Sequence, residues 1–447
     1  MLETKYTPCI ILPGIGQSKV ASVDKDGNKI KMAWPLDVNG EEILGSLKAS
    51  LMKMMVFRKD AGFSDKVKSI VKDILQPIAV NDDGTMKNGV RVVKYNQSLA
   101  QCNEKQKNYI YKMVPMQRLS AIIGEENLYF FAYNSFGEPY ETAKDLDEFI
   151  QKVKKERNCE KVNLVPVSLG GALSTAYFDA YGHKNDVERV MYFVAALEGT
   201  RLIADVYRKN IRLGELTPVI EMFASKSAAE KAQPLLKMLP DGVLEKVVDK
   251  AIDALLEEVA INCPSLWSVL PPEDYEELSA KYLSDKKHAV LREKTDRFYN
   301  AQSNIRKIID ERKANGTEFF SIACYGLELV PVIQSFRTSS DTIINIESPS
   351  LGAKAAPLGE KLPTDHCRGT YCTNEAHSHI SPDGTIDASY GYMPEHTWYF
   401  LNQQHDATAY NDTALNIAAR VLSDKNFKDI YSDESLPQFG IAHDNRH

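Results

Sequence analysis

The stretch Lys161-Val-Asn-Leu-Val-Pro-Val-Ser-Leu-Gly-Gly-Ala-Leu173 decides how this chain is interpreted. Residues 162–167 are mostly apolar, which predicts a buried strand, and Ser168 follows them directly. Two glycines then lead into a helical pattern over residues 172–181. A strand, a serine, small residues and a helix are the layout of a nucleophile elbow, a tight turn that holds a serine hydroxyl above the edge of a sheet.

The segment departs from the usual G-x-S-x-G pattern of that turn in one position and from many lipases in another. Pro166 stands where the first glycine belongs, and Val167 precedes the serine where many lipases carry histidine. An ordinary strand-to-helix turn that contains a serine is therefore the alternative reading of these residues. The rest of the chain has to supply the partners that a catalytic serine needs.

Composition excludes several classes of protein. The chain has 447 residues and a net charge of −7, which allows one large domain with an insertion and gives no reason to expect nucleic-acid binding. No apolar run is long enough to span a bilayer, so we expect no transmembrane segment. The printed N-terminus lacks the pattern of an export signal, and the seven scattered cysteines suit free thiols. Both features favour a cytoplasmic location, unless an export signal precedes the printed sequence.

Strand and helix patterns alternate along most of the chain. They predict a mostly parallel central sheet flanked by helices. Residues 201–312 differ, because they show helical periodicity broken by prolines and no strand alternation. We therefore expect a core of residues 1–199 and 313–447 and a helical cap, or lid, of residues 200–312. An amphipathic stripe in the cap either faces an acyl chain or packs on the core; it comprises Leu244, Val247, Val248, Ile252, Leu255, Leu256 and Val259.

His405 is the best candidate for the base that a serine nucleophile requires. It lies between the last predicted strand, 397–401, and the last predicted helix, 413–422, which the pair Asn411-Asp412 could cap. This is the position of the catalytic histidine in the α/β-hydrolase order of serine, acid and histidine. A surface-loop histidine is the alternative, and the other histidines considered, His183, His288 and His396, lie in poorer contexts.

Two aspartates compete for the role of the acid that orients this histidine. Asp341 follows the strand pattern of 319–325, and Asp383 lies in Ser381-Pro-Asp-Gly, shortly before the last strand. Both resemble the lipase acid loop D-G-x-V-x-x-x-S. Asp341 keeps the apolar residue and the serine but has Thr342 in place of glycine, whereas Asp383 keeps the glycine and has its serine one place early. We favour Asp341, with Asp383 as the alternative.

An oxyanion formed at the serine needs two N–H donors. The first is expected from Leu169, directly after the nucleophile, and the second from a loop after an early strand. The glycine-rich segment Pro13-Gly-Ile-Gly fits that loop, and Ile15 is the predicted donor. A plain glycine turn is the alternative.

Several segments together resemble the lecithin:cholesterol acyltransferase-like lipases. Leu12-Pro-Gly-Ile-Gly-Gln-Ser is similar to the V-P-G-x-x-G-S opening of that family, and Asn88-Gly-Val-Arg-Val to its G-V-x-V. The strand Asn127-Leu-Tyr-Phe-Phe-Ala-Tyr-Asn resembles the family strand that ends P-Y-D-W-R, without the Asp-Trp-Arg. Cys263-Pro-Ser-Leu-Trp-Ser-Val-Leu-Pro resembles its cap segment. The resemblance implies an α/β-hydrolase fold, a helical cap and ester chemistry on acyl lipids.

The sequence therefore predicts a serine esterase or lipase that hydrolyses carboxylic esters of acyl lipids through an acyl-enzyme on Ser168. The substrate is a small acyl ester or a lipid, with peripheral contact to a lipid surface as an option, and the chemistry requires no cofactor. An acyltransferase or a phospholipase could use the same residues. A catalytically inactive hydrolase fold that binds lipids or another protein is the alternative from a different class.

One further group of residues has the ligand types that zinc prefers. The spacing matches no closed structural site, so an ordinary polar loop without a metal is the favoured interpretation. The group comprises His366, Cys367, Cys372, His377, His379, Asp383 and Asp387. Its two cysteines, Cys367 and Cys372, are also close enough in sequence to form a small disulfide.

Overall fold

A computed structural model of the protein describes residues 6–24, 26–36, 38, 40–210, 239–329 and 337–442. The strands are β1 Cys9–Leu12, β2 Val20–Val23, β3 Lys29–Trp34, β4 Val90–Val92, β5 Leu128–Phe130, β6 Val162–Pro166, β7 Val187–Phe193, β8 Glu318–Tyr325, β9 Leu327–Glu328, β10 Ser339–Ser340, β11 Lys354–Ala355, β12 Ile386–Asp387, β13 Thr397–Leu401 and β14 Phe439–Ile441.

Helices flank these strands. The described helices are α1 Gly40–Phe57, α2 Phe63–Leu75, α3 Glu104–Met113, α4 Gln117–Ile123, α5 Pro139–Arg157, α6 Gly170–Tyr181, α7 Arg201–Arg208, α8 Asp241–Glu258, α9 Pro264–Trp267, α10 Pro272–Tyr282, α11 Ala289–Ser303, α12 Ile305–Ala314, α13 Glu347–Ser350 and α14 Asp412–Ser423. Among the described residues, no helix is both long and apolar enough to cross a bilayer.

Seven strands form the central sheet, in the order β14-β13-β8-β7-β6-β1-β5, and all neighbours in it are parallel. Helices cover both faces, which confirms the predicted α/β-hydrolase fold class. Because the strands are parallel, the residues that follow β6, β8 and β13 emerge at one edge of the sheet. That edge carries the residues predicted to act in catalysis.

The core lies on both faces of this sheet, as the two-residue period of a strand requires. In β1, for example, Ile10 packs with α5 and α6 on one face, whereas Ile11 packs with α14 on the other. The inner strands are buried on both sides, which explains why they appear in the sequence as mostly apolar runs. The N-cap expected from Asn411 is confirmed, because its side chain accepts a hydrogen bond from Ala414 N–H.

The expectation that residues 397–401 form the last strand is wrong. Residues 439–441 add β14 parallel to β13 at the edge of the sheet. This strand has three residues, of which two are partly buried and one is exposed, so neither length nor burial marks it in the sequence.

The bounds of the predicted cap, residues 200–312, remain a prediction. Residues 211–238 of this cap lie outside the described part of the chain. Its described helices pack in two places. The helix Asp241–Glu258 contacts α2, and Val247, Leu256 and Val259 of the amphipathic stripe are buried in these helix contacts. Phe298 and Ile305, near the end of the predicted cap, share a buried cluster with α6 instead. Packing between helices therefore accounts for the buried part of the stripe.

Candidate active site

Ser168 occupies a strained turn between β6 and α6. Its φ is +53°, a conformation that residues other than glycine rarely adopt. The turn is tied down by hydrogen bonds from Ser168 N–H to Phe193 O at 3.2 Å and from Ala196 N–H to Ser168 O at 3.0 Å. Strain of this kind persists only where the surroundings enforce it, and it is common at reactive residues.

The small residues around this turn are there because nothing larger fits. A side chain on Gly170 would place its Cβ 2.2 Å from Leu12 O, and one on Gly171 would place it 2.9 Å from Ala195 Cβ. The missing first glycine of the pattern is no obstacle, because Pro166 lies at the end of β6 and is buried. The close approach of strand and helix thus depends on the two glycines after the serine.

The loop after β1 lies directly against Ser168. A Cβ on Gly14 would come within 2.9 Å of Ser168 Cβ and 3.4 Å of Ser168 Oγ. Two polar side chains hold the loop: Gly14 N–H donates to Gln17 Oε1 at 2.6 Å, and Gly16 N–H donates to Oγ of Ser135, in the loop after β5, at 3.2 Å. Gln17 in turn donates to Met113 O at 2.8 Å. Gln17 and Ser135 are positioning residues that the sequence did not single out for this role.

The two predicted oxyanion donors are the N–H groups that this arrangement leaves free. Within the described residues, neither Ile15 N–H nor Leu169 N–H donates a hydrogen bond to the protein. The neighbouring N–H groups of Gly14, Gly16 and Gly170 are all used, the last by Val167 O at 2.7 Å. Unused donors beside a strained serine are what an oxyanion site requires. The assignment of Ile15 and Leu169 to that site remains a prediction.

His405 pairs with Asp341. The two side chains lie 2.6 Å apart, from His405 Nδ1 to Asp341 Oδ2, and His405 N–H also donates to Asp341 O at 2.8 Å. Asp341 is 1% exposed, and its second oxygen accepts hydrogen bonds from Ile343 N–H at 2.9 Å and Ile344 N–H at 2.7 Å. Both carboxylate oxygens therefore have fixed partners.

The other candidate acid, Asp383, is engaged in its own turn. Its Oδ1 accepts from Ser381 Oγ at 2.5 Å, and its Oδ2 accepts from Thr385 Oγ1 at 2.8 Å. Within the described residues it makes no hydrogen bond to a histidine. The structure thus brings His405 together with Asp341 and leaves Asp383 as a residue that shapes a loop.

Thr342 explains why the related acid loops have glycine at this place. Its φ is +85°, in the region that favours glycine. The strained conformation allows the chain to turn so that Ile343 and Ile344 aim their N–H groups at the Asp341 carboxylate. The loop keeps its shape with threonine at the cost of backbone strain.

The electrostatics of the pair favour a protonated His405. Burial by itself lowers the pKa of His405, but the charge and the hydrogen bond of Asp341 outweigh it, so the pKa is raised above its ordinary value. A nearby carboxylate stabilises an imidazolium in this way. The histidine is consequently a stronger base than a solvent-exposed one.

Ser168 and His405 lie at the same sheet edge but are not hydrogen-bonded. Within the described residues, Ser168 Oγ makes no hydrogen bond, and the Nδ1 of His405 is occupied by Asp341. The strand order places β7 between β6 and β8, and β13 next to β8. In unliganded active sites such a contact is often long and tightens only with substrate.

The segment 263–271 lies over the loops that leave this edge. Ser265 Oγ donates to Gly137 O at 2.6 Å, and Thr200 N–H donates to Val269 O at 2.8 Å. A Cβ on Gly199 would come within 2.5 Å of the Leu270 carbonyl carbon, so a side chain there is excluded. The segment therefore joins the loops that follow β5 and β7.

Comparisons with known proteins support no family assignment. No protein-family model matches the chain, and no curated protein matches it. Among solved structures, the Tle4-Tli4 complex matches with a TM-score of 0.37 at 14% identity, over 94% of this chain and 98% of that chain. Phospholipase PlaB from Legionella pneumophila matches with a TM-score of 0.27 at 14% identity, over 58% of this chain and 44% of that chain. A lipase-esterase related protein from Clostridium acetobutylicum ATCC 824 matches with a TM-score of 0.18 at 13% identity, over 43% of this chain and 88% of that chain.

Proposed function

We propose that the protein is a serine hydrolase that cleaves carboxylic esters, with Ser168 as nucleophile, His405 as general base and acid, and Asp341 as the residue that orients the histidine. The observation that carries the proposal is the pair of His405 and Asp341, 2.6 Å apart, at the sheet edge from which Ser168 also emerges. An Asp–His pair beside a serine in a strained turn is the arrangement that activates a hydroxyl group.

In the reaction, Ser168 Oγ attacks the ester carbonyl carbon while its proton passes to His405 Nε2. Asp341 keeps Nδ1 protonated and stabilises the imidazolium. The N–H groups of Ile15 and Leu169 bind the oxyanion, and His405 returns the proton to the leaving alcohol. A water molecule then gives a proton to His405 and attacks the acyl carbon. The bond between Ser168 Oγ and the acyl group breaks, His405 returns the proton to Oγ, and the carboxylic acid leaves.

Support for acyl lipids as the substrate class comes from α1. Near its end this helix exposes large apolar side chains, and Val56 and Phe57 are 75% and 65% exposed. Lys53 and Arg58, within four residues of them in sequence, are also exposed, as is Lys48 earlier in the helix. Apolar residues flanked by basic ones are typical of helices that lie on an anionic lipid surface. The resemblance to the lecithin:cholesterol acyltransferase-like lipases supports the same substrate class.

The test of the catalytic assignment is hydrolysis of a short p-nitrophenyl ester by the wild type, Ser168→Ala and Ser174→Ala. Ser174 is a matched control, because it lies in α6 and its hydroxyl donates only to Gly171 O within the helix, at 2.7 Å. We expect Ser168→Ala to lower kcat by about 10⁴-fold or more and Ser174→Ala to change it little. Equal activity of the wild type and Ser168→Ala contradicts the proposal, and no turnover by the wild type favours an inactive fold.

The substrate class is tested separately, on long-chain esters presented in anionic vesicles. Val56→Glu is expected to lower turnover on vesicles and to leave turnover of the short soluble ester unchanged. Loss on both substrates, or on neither, contradicts a role of α1 at a lipid surface. Adding an alcohol and measuring ester product against free acid separates acyl transfer from hydrolysis.

A further inference from the structure

Four side chains of different types converge beside the start of β13, far from Ser168 in the fold. Each offers one possible metal ligand, and these ligand atoms all lie within 4.8 Å of one another. Cys372 and His379 are buried, and the other two are partly exposed. The group comprises Cys372, His377, His379 and Glu395.

Two distances from the Cys372 sulfur atom are those of neighbouring ligands in a tetrahedral zinc site. Cys372 Sγ lies 3.7 Å from His377 Nδ1 and 3.5 Å from Glu395 Oε1. Bond lengths of about 2.0 to 2.3 Å around zinc place neighbouring ligands about 3.3 to 3.8 Å apart. His377 Nδ1 and Glu395 Oε1, at 2.8 Å, are closer than this, because they are hydrogen-bonded to each other. A cation between them requires a separation of about half an ångström more.

The fourth ligand, His379, has a nitrogen with no partner. His379 is 2% exposed, and within the described structure its Nε2 is buried without a hydrogen bond. Its Nδ1 lies 2.9 Å from Gln438 Oε1. The Gln438 amide is fixed in this orientation, because its Nε2 donates to Pro394 O at 2.6 Å and to Thr397 O at 3.2 Å. Nδ1 must therefore carry the proton, and Nε2 presents a lone pair.

We propose that Cys372, His377, His379 and Glu395 bind one divalent cation of the zinc class, with Gln438 as the residue that orients His379. A metal-binding histidine commonly donates its second N–H to an oxygen acceptor that fixes the ring, and Gln438 supplies that acceptor. A thiolate, two imidazoles and a carboxylate are a ligand set that zinc accepts. The thiolate and the carboxylate together balance the charge of the ion.

Protons are exchanged on binding. The Cys372 thiol, which points at Glu395, loses its proton to solvent as the sulfur–metal bond forms. The proton on His377 Nδ1 is replaced by the metal, and the neutral ring then carries its proton on Nε2. Nε2 lies 2.8 Å from the Asn374 amide nitrogen, so that amide has to turn its oxygen towards the ring and give up its contact with Ala376 N–H.

The geometry changes the ligand set considered from the sequence. His366 is paired with Asp387 at 2.9 Å, and Asp383 is held in its turn, so none of these three joins the cluster. Cys367 and Cys372, which the sequence left open as a disulfide pair, are both free thiols in the structure, and Cys367 is exposed. Glu395 was not among the candidates.

The role of the ion is structural. All of residues 356–385 are described, and none of them lies in a helix or strand. Irregular segments of this length are uncommon in compact domains and, where they are ordered, usually have a function. The proposed site joins this segment, through Cys372, His377 and His379, to Glu395 at the start of β13. His405 lies at the other end of that strand, so the ion takes no part in ester chemistry.

The test measures metal content and a cobalt spectrum rather than enzymatic activity. The full chain, free of any histidine tag, is stripped with a chelator, incubated with zinc, separated from free ions and analysed for zinc per chain. We expect one zinc ion per chain and a higher melting temperature than that of the stripped protein. With cobalt in place of zinc, we expect a thiolate-to-cobalt charge-transfer band.

Variants assign the ligands. Cys372→Ser is expected to abolish the charge-transfer band, whereas the control Cys367→Ser keeps it. Gln438→Leu is expected to lower zinc affinity by about 10- to 100-fold, and the control His366→Gln to leave it unchanged. A wild type that retains no zinc, or a band that survives Cys372→Ser, overturns the proposal. If Cys372→Ser does not fold, the zinc content per chain is compared between the wild type and Glu395→Gln. Equal zinc content in these two proteins overturns the proposal.

Discussion

Replacing Asp341 by asparagine tests the proposed acid in a way that the hydrogen bonds make specific. Asp341 Oδ1 accepts two backbone N–H groups, from Ile343 and Ile344, so an asparagine keeps its oxygen there. Its NH₂ group then faces His405 Nδ1 in the place of Oδ2. Two donors cannot face each other, so the histidine has to move its proton to Nε2. A histidine protonated at Nε2 cannot accept the proton of Ser168.

The expected loss follows from this tautomer. The same substitution in the serine protease triad lowers kcat by about 10⁴-fold. That factor corresponds to about 5.5 kcal/mol in the activation free energy, at about 1.36 kcal/mol for each tenfold change. Folding should be affected much less, because the size of the side chain and two of its hydrogen bonds are kept.

The assay is kcat on a short p-nitrophenyl ester, with the unfolding midpoint measured in parallel. Asp383→Asn is the matched control, because it changes the other candidate acid, whose partners are Ser381 and Thr385. We expect this variant to keep kcat within a few-fold of the wild type. The reasoning is refuted if Asp341→Asn retains more than a tenth of the wild-type kcat, or if folded Asp383→Asn loses as much as Asp341→Asn.

Three further predictions concern the same site. Because its pKa is raised, His405 stays protonated, and therefore inactive as a base, up to a higher pH than an ordinary histidine. The fall of kcat/KM on the acidic side of the pH profile should therefore have its midpoint above about pH 6.5, and a midpoint below that value contradicts the raised pKa. Gly14→Ala should lower kcat by about 10²-fold, because its methyl group would lie 2.9 Å from Ser168 Cβ and the loop or the nucleophile must shift. An unchanged kcat of the folded variant argues against close contact of the loop with the nucleophile. Thr342→Gly should increase the free energy of unfolding in urea by up to about 2 kcal/mol and preserve kcat, since it relieves the strain at φ +85°; a clear loss of stability disproves that strain.

The sequence predicts the sheet well, because local signals mark its strands. The runs at β6, β8 and β13 are mostly apolar, as strands covered on both faces usually are, and their bounds differ from the predicted ones by at most one residue. Ser168 and His405 could be proposed because each lies in the short loop between such a strand and the helix that follows it. β14 could not, since its three residues carry no pattern of their own.

Contacts between distant residues are what the sequence does not show. Asp341 and Asp383 have similar local motifs, and only the fold reveals that Asp341 lies 2.6 Å from His405. The role of Gln17 in fixing the loop after β1 is likewise a matter of contacts, although it lies inside a motif that the sequence does point out. No sequence motif links Glu395 to the cysteine and the two histidines of the preceding loop, and only the fold brings these four side chains together.

The central claim, that Ser168 is an activated nucleophile, is tested most directly by a fluorophosphonate probe followed by peptide mass spectrometry. The account predicts one phosphonate adduct per chain, on the peptide that contains Ser168, and none on Ser168→Ala. An adduct on another residue, or esterase activity in a wild type that the probe leaves unmodified and uninhibited, would contradict it.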